Sequence, residues 1–236
     1  MDIWIVGLGI NGVDQVTRET ERVLHASKEV LYADAGVGTR AYLEQMCPRV
    51  TDLFSDSYCE QRPRLNTYHH IAARVVEAAL RHRPVTFAIH GHPLVFSYPP
   101  FLIADLARVL GMKVRIQPGI SATAALLCDL EVDPGLFGMQ MYEATELLVR
   151  RRPLVPDVPA LIWQIGDVET RLRSMRPSRP ERFDRIRDHL LQFYPADHPV
   201  VAVYSSPHPL MRSTRLDFPL GRIGDYAAQL HIGYTL

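Results

Sequence analysis

Short apolar runs, each closed by a Gly or Pro turn, recur along the first half of the chain and alternate with longer stretches whose apolar positions follow helical spacing. Residues 3–6 read as a buried strand, 7–12 as a turn, and 13–27 as an amphipathic helix with Val13, Val16, Val23 and Leu24 on its apolar side. A second strand is predicted at 29–32 and a short helix at 42–46. A longer helix follows at 66–81, with Ile71, Val75, Ala78 and Ala79 on one stripe, and a third strand at 85–89. A helix at 101–110 and a strand at 113–117 complete a βα series, the pattern of a mostly parallel sheet covered by helices.

Beyond residue 118 the pattern changes. Residues 122–130 and 144–149 are helical in composition, as are 182–193, and strands are predicted at 139–142, 160–165, 199–204 and 230–235. The fold class expected is therefore α/β in two parts: an N-terminal domain at 1–118 with a mostly parallel sheet, and a C-terminal domain at 119–236 with a mixed one. The boundary falls where a strand ends in the Pro118-Gly119 turn. The polar stretch 171–185, with Pro177 and Pro180, reads as a flexible surface loop.

Composition narrows the function classes. With 236 residues, 47% hydrophobic, the chain can bury a full core, and 26 basic against 26 acidic residues give no field that would gather nucleic acid or an anionic membrane. No run reaches the roughly 18 apolar residues of a membrane span and no cleavable signal opens the chain, so a cytoplasmic location is expected. Cys47, Cys59 and Cys128 are too widely spaced for a zinc site and read as packing residues.

Four groups of residues could carry chemistry. Gly7-Leu8-Gly9-Ile10-Asn11-Gly12 follows a strand and precedes a helical pattern, and Asp34 lies 22 residues beyond Gly12, which satisfies a dinucleotide fingerprint; any first βα turn, however, wants glycines. His90-Gly91-His92 puts two imidazoles at alternate positions of a strand end. With no third ligand in view, hydrogen bonding to a ligand or to backbone is favoured over metal binding, and no metal is expected. His69-His70 reads as a surface pair. Tyr58, Arg64 and Tyr68 form the third group, the last two sharing a helix face: a guanidinium beside a phenol favours the phenolate and suits proton removal, while a surface Arg with two packing tyrosines is the bland alternative. The fourth, Arg150-Arg151-Arg152, reads as a solvated, dipole-compensating helix end.

Taken together, Gly7-Leu8-Gly9, His90-Gly91-His92-Pro93-Leu94-Val95-Phe96, Pro118-Gly119-Ile120-Ser121-Ala122, Tyr142-Glu143-Ala144-Thr145 and Trp163-Gln164-Ile165-Gly166 resemble the tetrapyrrole methylase superfamily over nearly the whole chain. Arg64-Leu65-Asn66-Thr67-Tyr68 and the run from Tyr142 to Leu148 are most similar to its borosin-type peptide backbone N-methyltransferases. The resemblance implies two α/β domains with S-adenosylmethionine in the cleft between them, S-adenosylhomocysteine as product, and Tyr58, Arg64 and Tyr68 around the reacting amide. It implies donor contacts from His90, His92, Val95, Phe96, Ser121, Ala122, Gln164, Ser205, Tyr234 and Thr235. It also implies a homodimer.

Two positions depart from the pattern: His90 stands where the family usually has tyrosine, and Leu94 where it has glycine. Asn11 stands near the place of an acidic residue common in the tetrapyrrole C-methylating branch, which disfavours a porphyrinoid substrate. Because the chain ends at Leu236, within the last predicted strand, the peptide substrate is expected to be a separate precursor and not a fused tail. Rival expectations are C-methylation of a tetrapyrrole, N-methylation of a small amide or amine, nicotinamide-dependent oxidoreduction, and a non-catalytic cofactor-binding regulatory module.

Overall fold

The computed structural model of the chain describes residues 1–59, 62–172 and 177–236. Two compact units emerge: Met1–Ala125 with 171–172 and Ser206–Arg212, and Leu126–Thr170 with 177–205 and Ser213–Leu236.

In chain order the elements are β1 (Ile3–Gly7), α1 (Arg18–Ala26), β2 (Glu29–Ala33), α2 (Thr39–Met46), β3 (Val50–Asp52), α3 (Leu53–Ser57), α4 (Arg64–Arg81), β4 (Val85–Ile89), α5 (Pro99–Val109), β5 (Val114–Ile116), α6 (Ala122–Leu130), α7 (Pro134–Phe137), β6 (Gln140–Glu143), α8 (Ala144–Val149), β7 (Ala160–Trp163), α9 (Asp184–Leu190), β8 (Pro199–Tyr204) and β9 (Thr214–Pro219). The first unit is built on a five-stranded sheet of order β3-β2-β4-β1-β5, every pair parallel. Its central strands are apolar at successive positions because both faces are covered. Ile3 and Ile5 of β1 and Val85, Phe87 and Ile89 of β4 pack with Ile71, Val75 and Ala79 of α4 and Ile103 of α5. Their neighbours Val6 and Ala88 point the other way, onto Val23 and Leu24 of α1 and Leu43 of α2.

The helix expected at 13–27 is broken. Residues Gly12–Gln15 form a 3₁₀ turn, Val16 is extended, and α1 starts only after Thr17, whose hydroxyl accepts the Thr20 N–H at 3.1 Å as an N-cap. β3 and α3 escape the sequence reading because the strand is three half-buried residues long and runs straight into the helix. Cys47 is a packing residue, but Cys59 and Cys128 are exposed, so the expectation holds for one cysteine of three.

In the second unit β6 pairs with β7 in parallel and β8 with β9 in antiparallel register. The strand expected at 230–235 shrinks to a stitch between these ladders. Thr235 exchanges backbone hydrogen bonds with Val203 (2.8 and 2.9 Å), and Leu236 does the same with Ile162 (2.7 and 3.0 Å). The core beneath gathers Leu147, Ile165, Phe183, Ile186, Ala202 and Ile223. The helix expected at 182–193 is a 3₁₀ turn at Pro180–Phe183 followed by the shorter α9. Of the loop expected at 171–185, residues 173–176 lie outside the described residues. Among the described residues no helix is long and apolar enough to cross a membrane.

Where β1, β4 and β5 end, their backbones approach more closely than any side chain would allow. A Cβ on Gly7 would stand 2.2 Å from the Gly91 carbonyl oxygen, and one on Gly119 would stand 2.7 Å from both that oxygen and the Gly7 Cα. Both neighbours are backbone and cannot turn aside. Gly7→Ala and Gly119→Ala are each expected to lower stability by roughly 1–3 kcal/mol or more, read as a fall in the urea midpoint at unchanged slope. Gly111→Ala, with nothing within 4 Å of its Cβ but a φ of +67°, should cost less.

Candidate active site

β2 and β4 run side by side with Ala33 opposite Ile89, so the next residue of each, Asp34 and His90, are neighbours by register. The His90 N–H bonds the Ala33 carbonyl at 3.3 Å, and its ring Nδ1 lies 2.9 Å from Asp34 Oδ1. An ionised carboxylate only accepts, so Nδ1 carries a hydrogen. The other Asp34 oxygen accepts from Thr39 Oγ1 at 2.6 Å and from the Gly36 N–H at 3.2 Å. The Asp34 side chain is 7% exposed, that of His90 44%. Burial would raise the Asp34 pKa, but the hydrogen bond and charge of His90, with the Thr39 and Gly36 donors, outweigh it and hold the carboxyl below its ordinary range.

Both groups line a small open cleft with Leu8, Gly9, Ile10, Val13, Tyr42 and Pro207. The geometry overturns the dinucleotide expectation. The Ile10 and Asn11 N–H groups, which would cradle a pyrophosphate, both donate to Gln15 Oε1 (2.7 and 2.9 Å), and the acid meant for a ribose is spent on His90, Thr39 and Gly36. No α-helix opens at the glycines to add its dipole. Tyr42 donates to Glu21 Oε1 at 2.9 Å; burial first, then that hydrogen bond, raise its pKa, so it stays a phenol.

Ser57 ties the residue before Tyr58 to the part of α4 around Tyr68. Ser57, the last residue of α3, is fully buried; its carbonyl accepts from Thr67 Oγ1 at 3.1 Å and its hydroxyl meets His70 Nδ1 at 2.9 Å. Thr67 and His70 flank the α4 turn that carries Tyr68, and Ser57 adjoins Tyr58. His70 is thus a fastener between helices and not half of a surface pair. Arg64 opens α4, its backbone N–H bonded to the Arg171 carbonyl at 3.0 Å, and Tyr68 follows one turn later on the same face. Tyr58 stacks on Phe54 (centroids 4.9 Å apart), while Tyr68 meets the edge of Tyr98 at 6.1 Å. Tyr98 ends the loop that starts at His90, which joins this cluster to the strand-end loop.

That loop turns on His92, whose Nδ1 accepts the Leu94 N–H at 3.0 Å. Phe96 has φ +51°, a conformation that costs a bulky residue energy and is held only where surroundings enforce it. Val95 and Ser121 are half-buried, and Ser121 Oγ accepts the Ala124 N–H at 3.2 Å at the start of α6, beside Ala122. In the second unit Gln164 is likewise left-handed, φ +57°. Tyr234 and Thr235 are buried at 5% and 4%, and Ser205 Oγ donates to Asp129 Oδ2 at 2.5 Å, with Ser213 on the other oxygen at 2.8 Å. Thr39, Gln15 and Asp129 were not singled out in the sequence. Thr39 alone leaves a signal there, as a β-branched hydroxyl opening a helix five residues after an acid.

A family model described as "Tetrapyrrole (Corrin/Porphyrin) Methylases" matches residues 2–206. The chain is 30% identical over 210 residues to a methyltransferase/ribosomally synthesized type III borosin cyclic peptide precursor of Anomoporia bombycina, covering 89% of this chain and 24% of that one. It is 31% identical over 197 residues to the methyltransferase/omphalotin A precursor of Omphalotus olearius, 84% and 47% of the two chains. It therefore spans about a quarter to just over half the length of the curated relatives it matches. In fold it is similar to the crystal structures of the methyltransferase CobJ (TM-score 0.66, 19% identity, 99% of this chain and 91% of that one) and of uroporphyrin-III-C-methyltransferase from Thermus thermophilus (TM-score 0.65, 16% identity, 100% and 91%).

The depressed Asp34 pKa has a signed consequence for stability. A carboxyl whose folded pKa lies below its unfolded value contributes stability that is complete above the unfolded value and disappears as pH falls through the folded one. Asp34→Asn is expected to destabilise by about 1–3 kcal/mol at neutral pH. In thermal melts from pH 7 downward, the gap between wild type and variant should hold to about pH 4 and then narrow. A constant gap would mean that Asp34 is not ionised in the folded chain.

Proposed function

The chain belongs to the tetrapyrrole methylase family, and from that premise we propose that it moves the methyl group of S-adenosylmethionine onto backbone amide nitrogens of a precursor peptide supplied as a separate chain. The observation that supports this reading is the Ser57 fastening, which ties the residue before Tyr58 to Thr67 and His70, on either side of Tyr68 in α4. The printed names of the relatives join a methyltransferase to a peptide precursor, and that supports a peptide as substrate.

The chain's own residues suit the donor. In the first unit, half-buried Val95 and Ser121 and the costly backbone conformation at Phe96 support donor binding, and in the second unit the left-handed Gln164 belongs to the donor set in this reading. Ser205, Tyr234 and Thr235 complete the donor set in this reading. When bound, S-adenosylmethionine supplies an electrophilic methyl group on a sulfonium.

An amide nitrogen is a poor nucleophile because its lone pair is delocalised into the carbonyl. Arg64 holds the carbonyl oxygen and stabilises the negative charge that gathers there as the amide becomes imidate-like. Tyr58 or Tyr68, through a water, takes the proton from the nitrogen. Binding that keeps the nitrogen and the methyl carbon about 3 Å apart makes the reaction effectively unimolecular. A homodimer belongs to the same reading, supported by apolar residues that α4 and α5 leave exposed, among them Leu65, Phe101, Leu106 and Val109.

The test is tandem mass spectrometry of the peptide encoded beside this gene after incubation with the enzyme and S-adenosylmethionine. Methyl gains on backbone nitrogens are expected; methyl groups on carbon, or an unchanged peptide, would overturn the reading. Arg64→Ala and Tyr68→Phe should each lower turnover by about 100-fold or more while S-adenosylhomocysteine binds as before. Full activity in both would remove the cluster from the chemistry.

A further inference from the structure

Arg64 and the two phenols leave open where the proton comes to rest. A free phenol titrates near ~10, so at neutral pH it already carries its own hydrogen and can hand a proton on only while accepting another. The chain needs a group with an available lone pair at neutral pH. Of the polar side chains lining the strand-end cleft, Asp34 has both oxygens engaged, Thr39 donates to Asp34, and Tyr42 donates to Glu21. His90 has Nδ1 fixed on Asp34 and, among the described residues, no partner on Nε2.

We propose that His90, oriented by Asp34, is the base that finally receives the proton released when the substrate nitrogen is methylated. The inference rests on the N-methylation reading above and adds the residue that completes it. The buried carboxylate selects the tautomer with hydrogen on Nδ1, aims the ring, and stabilises the imidazolium that forms, while the 44% exposure of the His90 side chain lets the proton leave to water afterwards. The bookkeeping closes: the nitrogen loses its N–H and gains an N–CH₃ bond, the electron pair of the broken S–CH₃ bond stays on sulfur, and the proton ends on His90 Nε2. Thr39 and the Gly36 N–H are positioning groups that hold the carboxylate.

The resemblance implies a donor contact at His90; this proposal assigns its ring to the proton instead. Placing a base here also gives Asp34 a role that the glycine loop cannot, because that loop is closed by Gln15.

The experiment measures kcat at saturating donor and peptide for wild type, His90→Ala, His90→Ala with added imidazole, and Asp34→Asn, using the peptide encoded beside the gene. His90→Ala is expected to lose about 100-fold or more, with imidazole restoring rate in proportion to its concentration and an equal ionic strength of salt restoring none. Asp34→Asn should lose about 10-fold or more although it can still accept the Nδ1 hydrogen, because the imidazolium loses its counter-charge. A His90→Ala rate within twofold of wild type, or a loss that imidazole does not relieve, would overturn the proposal. Wild type that methylates no peptide nitrogen would instead bring down the N-methylation reading, and this inference with it.

Discussion

Three strand ends meet backbone to backbone, and the rest of the first unit's chemistry depends on that contact. Gly7 and Gly119 close on the Gly91 carbonyl oxygen and on each other at distances where a Cβ would overlap that oxygen or a Cα. The β1 turn, the loop after β4 and the loop after β5 are pressed together there, and His90, His92 and Ser121 flank that junction, His90 placed by sheet register. The Gly9–Gly91 pair adds two backbone hydrogen bonds, of 3.3 and 2.7 Å, across the same junction. Glycine is needed at these points for its lack of a side chain, and at Gly9 and Gly91 also for φ of +82° and +70°.

From that frame the buried carboxylate follows. Asp34 is the residue after β2 and His90 the residue after β4, and the parallel pairing of those strands places them side by side. Burial would make an isolated Asp34 carboxylate costly, but three donors satisfy it and keep it charged. Nδ1 of the imidazole is then committed to that neighbour, and Nε2 is left at the cleft.

Much of the sheet is legible in the sequence because strands covered on both faces are apolar at nearly every position, as in residues 3–6 and 85–89. Helix 66–81 was equally plain from its stripe, and the Arg64 to Tyr68 spacing follows from it. What failed to show was long-range. The break in the helix expected at 13–27 depends on Gln15 folding back onto Ile10 and Asn11. The His90–Asp34 pair joins residues 56 apart in the chain, and Ser205 reaches Asp129 across 76. Asp34 was visible as an acid at a suggestive spacing, yet its role depends on which neighbour claims it. β9 carried the alternation Thr-Arg-Leu-Asp-Phe, with Leu216 and Phe218 turned toward the second unit's core, a period-2 signal that could have been read.

A crystal structure of the chain with S-adenosylhomocysteine and its peptide tests the central claim most directly, because it shows the acceptor nitrogen among the residues named. The amide carbonyl oxygen should lie within hydrogen-bonding distance of the Arg64 guanidinium, with Tyr58 and Tyr68 beside it and the N–H connected to His90 Nε2 directly or through one water. A peptide seated elsewhere, or a His90 ring turned from Asp34 to bind the donor, would contradict it.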